Sequence, residues 1–126
     1  MGNGTSIGRV RGLGSAHSGS HHWLVQRFTA IGNLVLGLWL IGSLLCLGDY
    51  SFKSVHGWAS QPLSATALGL MVISSFWHAR LGLQVMIEDY FHDHANRFAA
   101  LALLNLAVVA GAAYGLLSVI RLALGA

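Results

Sequence analysis

The stretch from Phe76 to His94 concentrates the residue types that could perform chemistry. It begins inside a long apolar run and ends in an acidic, aromatic and histidine-rich turn. If the stretch is helical, His78 and Asp89 lie within roughly 20° of each other around the axis and roughly 16 Å apart along it. The sequence therefore predicts one helical stripe with an imidazole in its apolar part and a carboxylate at its end.

His78 gives the sharpest signal, because an ionisable residue inside an apolar span is a functional candidate by default. Ser74, Ser75 and Gly82 flank its face, and such small residues would leave room for a flat group. Two interpretations stay open: a neutral histidine hydrogen-bonded across a helix interface, and an axial ligand of haem. The other histidines lie outside the apolar runs, so the second axial ligand of a six-coordinate b-type haem would come from another chain.

Two arginines near His78 also allow two interpretations each. Arg80 lies inside the predicted span, where a charge costs about 2.5–3.5 kcal/mol on insertion scales. It either extends toward the membrane surface or meets an anion such as a haem propionate. Arg27 opens the first apolar run, either as a basic anchor at the surface or as a charge for a propionate or a quinone.

Asp89 and Tyr90 end the stripe. One interpretation is a solvated helix end with an interfacial tyrosine, and the other is a quinone site. In that site the tyrosine hydroxyl would donate to a quinone carbonyl and the carboxylate would pass protons. The neighbouring acidic and histidine residues are Glu88, His92, Asp93 and His94. They could suggest a metal site, but a solvated turn is the better interpretation without convergent geometry.

The composition identifies the setting of these residues. The chain has 126 residues, of which 55% are hydrophobic and only 9% are charged, whereas a soluble domain has about 25% charged residues. So small a soluble core cannot bury that much apolar surface. The class is an all-α integral membrane protein with one domain, and the scattered basic residues give no indication of nucleic-acid binding.

Three apolar runs, each long enough to cross a bilayer, are predicted to be transmembrane helices over residues of about 24–48, 63–87 and 98–124. Residues 1–20 form a polar tail, and the connections cover residues 49–62 and 88–97. The last run contains the sequence from Gly111 to Gly115, a pattern of small residues that either marks a close helix contact or occurs by chance.

The basic residues are unevenly divided between the two sides of these spans. Five of them (Arg9, Arg11, Arg27, Arg80 and Arg97) fall on one side, and two (Lys53 and Arg121) fall on the other. Positive charge accumulates on the cytoplasmic side. This predicts a cytoplasmic N-terminus and a periplasmic C-terminus.

These features together resemble a known family, the small haem-bearing, D-type hydrophobic membrane-anchor subunit of bacterial succinate dehydrogenase. The segment from His22 to Ile31 is similar to the family's Gln-Arg-x-Thr-Ala-Ile opening. His78-Ala79-x-x-Gly82, followed by Asp89-Tyr90, has the family's spacing. The plan of a polar tail and three spans completes the resemblance.

The resemblance implies roles for particular residues. His78 would be the axial ligand of the haem b iron, and Tyr90 would hydrogen-bond ubiquinone with Asp89 as its neighbouring acid. Arg27 would lie near the haem propionates and the quinone pocket. Arg80 stands where some family members have an aromatic residue.

The resemblance also implies a complex in the bacterial inner membrane, since the chain alone would have no complete active site. Its partners would be a flavoprotein, an iron–sulfur protein and a C-type anchor that supplies the other haem ligand. Two alternatives stay open: an anchor of a fumarate reductase, and a small non-redox membrane protein that uses His78 and Arg80 for proton or ion passage.

Overall fold

A computed structural model describes residues 19–125 of the chain. Within that range the chain forms four helices: α1 (Gly19–Leu45), α2 (Phe52–Ala59), α3 (Pro62–Tyr90) and α4 (His94–Leu124). The tail predicted for residues 1–20 lies outside the described residues except for its last two, which begin α1.

Three of these helices, α1, α3 and α4, are long and apolar enough to cross a membrane. The prediction of an all-α protein with three spans is therefore confirmed. The bounds differ from the predicted spans: α1 begins at Gly19 and ends at Leu45, before the predicted end at about residue 48, whereas α3 continues to Tyr90 and α4 begins at His94. Only three residues, 91–93, join these two helices.

The tight connection between α3 and α4 follows from its backbone hydrogen bonds. The amide of Phe91 donates to the carbonyl of Ile87 at 2.9 Å and closes α3. The side chain of Asp93 accepts from the amide of Asn96 at 2.9 Å and caps α4. A carboxylate satisfies an otherwise unpaired amide in this position, so Asp93 starts α4 before its apolar run begins.

The short helix α2 was not predicted, because its sequence is polar and glycine-containing. Ser51 caps it by accepting from the amide of Ser54. The carboxylate of Asp49 in turn accepts from both hydroxyls, at 2.6 Å from Ser51 and 2.8 Å from Ser54. Trp58 stacks on Trp39 of α1 with ring centroids 5.8 Å apart, so aromatic contact holds α2 against the bundle.

Helix α3 is central, packing against α1 on one side and α4 on the other. Glycines allow the close approach of α4: a Cβ at Gly111 would overlap the ring of Phe76, and one at Gly115 would lie 2.8 Å from Val72 Cγ1. The small-residue pattern therefore marks a real helix contact. Within residues 19–125, most large apolar side chains remain exposed on the outer faces, where lipid or other subunits must cover them.

Candidate functional site

His78 faces the interface between α1 and α3. It is half-buried, and its Nδ1 lies 3.0 Å from the Oγ1 of Thr29 on α1. The same hydroxyl lies 2.9 Å from the carbonyl oxygen of Val25 and 3.0 Å from that of Gln26. His78 therefore has a hydrogen-bonding partner on the neighbouring helix through one ring nitrogen, which leaves Nε2 for another group.

The two serines before His78 contact α1, and Ser74 also lines a cavity of about 410 Å³ with Thr29; that they leave room for a flat group stays a prediction. Ser74 Oγ donates to the backbone carbonyl of Thr29, and Ser75 Oγ donates to Asn33 Oδ1, each at 3.4 Å. A polar side chain in an apolar span gains more from a partner on the next helix than from an empty apolar space. The serines thus join α1 to α3.

The side chain of His78 lines a cavity in the cleft between α1 and α3. The cavity has a volume of about 220 Å³ and is lined by Trp23, Gln26, Arg27, Ala30 and His78. The guanidinium carbon of Arg27 lies 4.7 Å from the ring centroid of Trp23, a cation–π distance. The structure therefore brings His78 and Arg27 together, although they are far apart in sequence.

Asp89 and Tyr90 do not line that cavity. They are the last two residues of α3, so Tyr90 lies about 18 Å along the axis from His78. The tyrosine side chain is 78% exposed. The two predicted sites are therefore separate places on one helix, one within its apolar part and one at its end.

Arg80 has a partner that the sequence interpretation did not foresee. Its Nε donates to Oδ1 of Asn105 on α4 at 2.6 Å. Arg80 also lines a second cavity of about 230 Å³ with His21, His22 and Gln84 among its other walls. The Nε2 atom of His22 is buried and has no hydrogen-bonding partner among the residues described.

The acidic turn after Tyr90 has a structural role. Asp93 caps α4, and the Nη2 of Arg97 lies 3.1 Å from the Nδ1 of His94. Within the described part of the chain, no three histidine, cysteine or acidic residues are grouped closely enough to hold a metal ion.

Sequence reasoning missed Thr29 and Asn105, the partners of His78 and Arg80. A signal for Asn105 was present, because it is the one amide side chain in the third apolar run. Thr29 had a weaker signal: a threonine in an apolar helix commonly bonds to its own backbone, and only the packing of α1 on α3 shows its second partner.

Three helices long and apolar enough to cross a membrane define the class of this chain as a multi-pass, all-helical membrane protein. The sequence profile of the family described as "Succinate dehydrogenase/Fumarate reductase transmembrane subunit" matches residues 1–114. Relatives named "Succinate dehydrogenase hydrophobic membrane anchor subunit" include those of Rickettsia bellii, with 42% identity over 67% of each chain, and of Rickettsia conorii, with 37% identity over 79% of this chain and 80% of the relative. The relative from Paracoccus denitrificans is 31% identical over 93% of this chain and 90% of its own length.

The chain therefore belongs to the family of transmembrane subunits of succinate dehydrogenase and fumarate reductase. Within that family it is a hydrophobic membrane anchor subunit of succinate dehydrogenase, as its sequence motifs predicted.

Proposed function

We propose that this anchor subunit binds haem b together with a C-type anchor and forms part of a ubiquinone-reduction site in the bacterial inner membrane. The observation that carries the proposal is the cavity that His78 and Arg27 both line. An imidazole can ligate a haem iron, and a guanidinium can pair with a carboxylate such as a haem propionate.

The residues of the cavity fit one face of a haem. His78 would supply a ring nitrogen, and Arg27, which lies over the Trp23 ring, would supply a positive charge for a carboxylate. The cavity volume, about 220 Å³, is below the range of about 300–1,000 Å³ for ligand pockets. A second chain would complete the site and provide the opposite axial ligand. When bound, haem supplies a one-electron carrier within the membrane.

The quinone part of the proposal concerns Tyr90 and Asp89. Reduction of ubiquinone to ubiquinol adds two electrons and two protons. The exposed hydroxyl of Tyr90 would donate a hydrogen bond to a carbonyl oxygen of the quinone, where negative charge develops. The carboxyl group of Asp89 would hold or pass a proton.

The distribution of basic residues supports an orientation in the membrane, and the resemblance to succinate dehydrogenase anchors supports the partners. With five basic residues on one side and two on the other, the N-terminus and the turn after Tyr90 would be cytoplasmic. The iron–sulfur subunit would dock on that side and deliver electrons that the flavoprotein takes from succinate. A C-terminal reporter that is active only in the cytoplasm would contradict this orientation.

The experiment that tests haem binding compares two histidine variants in the assembled complex. We expect His78→Ala to abolish or strongly alter the reduced b-type spectrum, while His92→Ala, in the turn after α3, leaves it unchanged. Haem content and spin state are measured on complexes that still oxidise succinate with an artificial acceptor. An unchanged low-spin spectrum in His78→Ala would rule out His78 as the ligand.

A further inference from the structure

We propose that Thr29 is a positioning residue that fixes the tautomer of His78, so that Nδ1 carries the proton and Nε2 keeps its lone pair for the iron. The inference rests on the proposed haem ligation for its role, but it can be tested without haem. It assigns a specific task to a side chain on α1 whose hydroxyl would otherwise only bond its own helix.

The argument begins with the single hydrogen of the Thr29 hydroxyl. Its oxygen lies 2.9 Å from the carbonyl oxygen of Val25 and 3.0 Å from that of Gln26. A carbonyl oxygen can only accept, so these short oxygen–oxygen contacts are favourable only when the hydroxyl hydrogen points toward them. A hydroxyl that donated to His78 instead would leave both contacts repulsive.

The consequence for His78 follows directly. Its Nδ1 lies 3.0 Å from an oxygen whose hydrogen is already used, so Nδ1–H must be the donor and the oxygen the acceptor. In a neutral imidazole only one nitrogen carries a proton. The Nε2 lone pair is then available before any haem binds, and the hydrogen bond at Nδ1 holds the ring in one orientation.

Neighbouring contacts between α1 and α3 hold Thr29 beside His78. Ser74 Oγ donates to the backbone carbonyl of Thr29 at 3.4 Å. The backbone of Gly32, one turn further along α1, lies beside the same serine, since a Cβ there would be 3.4 Å from Ser74 Oγ. A shift of α1 along α3 would break this contact and the bond to His78 together.

The direct test is ¹⁵N NMR of histidine-labelled full-length chain in lipid nanodiscs without haem, with the His78 signals assigned by their loss in His78→Ala. We expect His78 to be predominantly protonated at Nδ1. Thr29→Val keeps the shape but removes the acceptor and should shift the population toward Nε2–H, whereas Thr29→Ser should not. Thr66→Val is the matched control, because the Thr66 hydroxyl also donates to a backbone carbonyl, that of Pro62, but is not a partner of His78.

Predominant Nε2–H in the wild-type chain would overturn the inference, as would an unchanged tautomer in Thr29→Val. If Thr29→Val fails to fold, Thr29→Ala, which also lacks the hydroxyl, takes its place in the same measurement and should shift the population toward Nε2–H. These outcomes do not depend on whether haem binds.

A second measurement tests the positioning role of Thr29 in the assembled complex. Loss of a hydrogen bond to a metal-bound histidine weakens metal binding about 10–100-fold. In Thr29→Val, we expect reduced haem to bind carbon monoxide with a correspondingly higher apparent affinity, because the weakened axial ligand is displaced more easily. Thr29→Ser and Thr66→Val should behave as wild type. Equal affinities in all four complexes would overturn the positioning role, whereas an unaltered spectrum in His78→Ala would refute the proposed function instead.

Discussion

Arg80 of α3 donates from Nε to Oδ1 of Asn105 on α4 at 2.6 Å. The pair joins two helices inside an apolar span, where an isolated charge costs about 2.5–3.5 kcal/mol on insertion scales. A neutral amide oxygen offsets part of that cost without introducing a second charge. Asn105 therefore provides this arginine with an acceptor on the neighbouring helix.

The first prediction concerns the loss of this partner. Asn105→Leu should destabilise the packing of α4 on α3 by about 1–3 kcal/mol, because the guanidinium group loses its acceptor. The expected result is a lower thermal unfolding temperature of the complex in detergent. The double variant Arg80→Leu, Asn105→Leu should recover much of that loss, since neither partner is then left unpaired. Additive effects of the two substitutions would contradict the coupling.

The second prediction concerns the close approach of α3 and α4. Gly111→Ala should lower the stability of the complex by about 1–3 kcal/mol, because the added Cβ would lie 2.7 Å from Cζ of Phe76. Gly37→Ala on α1 is the matched control, because its Cβ would meet no atom within 4 Å. That substitution should be neutral or stabilising, as alanine is the better helix former. Equal thermal stability of the two variants would refute the contact.

The third prediction concerns pH and the capping of α2. The pKa of Asp49 is lowered from its usual value of 3.8, first by the hydroxyl of Ser51, then by that of Ser54 and by the Ser51 amide. A carboxyl group with a lowered folded-state pKa stabilises the folded form above its unfolded pKa and loses that contribution as the pH falls through the folded pKa. The protection of the Ser51 and Ser54 amides against hydrogen exchange, corrected for intrinsic rates, should therefore decrease as the pH falls below about 3.8.

Asp49→Asn provides the control for this effect, because it has no carboxyl group to titrate. The protection of the same two amides should then be independent of pH across this range. A pH dependence that persists in Asp49→Asn would assign the effect to another group.

The sequence predicted the three spans because an apolar run long enough to cross a bilayer has one structural solution, a helix that satisfies its own backbone. It did not predict α2, whose sequence is polar and which packs on α1 through the stacking of Trp58 on Trp39, residues distant in sequence. His78 was identifiable as an ionisable residue in an apolar run. Its partner Thr29 was not, because it depends on the register between α1 and α3.

The same distinction applies to the serines and the glycines. Helical periodicity placed Ser74 and Ser75 near the face of His78, but it could not show that α1 lies against them and receives their hydrogen bonds. The small-residue pattern of α4 predicted a contact without identifying the partner, which the structure shows to be α3. A single sequence does not show which residues of one helix lie against which residues of its neighbour.

The last prediction tests Tyr90 as a quinone ligand. Tyr90→Phe removes one hydroxyl from a side chain that is 78% exposed, so assembly and haem content should be unchanged. Succinate–ubiquinone turnover should fall, because the lost donor stabilises charge that develops on the quinone oxygen, and removing one such donor costs about 10²–10³-fold in rate at other enzymes' oxyanion sites. Succinate oxidation by an artificial acceptor that bypasses the quinone should continue.

Tyr114→Phe on α4, where the side chain is 77% exposed, is the matched control and should leave both activities unchanged. If Tyr90→Phe also retains full quinone turnover, the tyrosine only anchors the helix at the membrane interface and the quinone binds elsewhere.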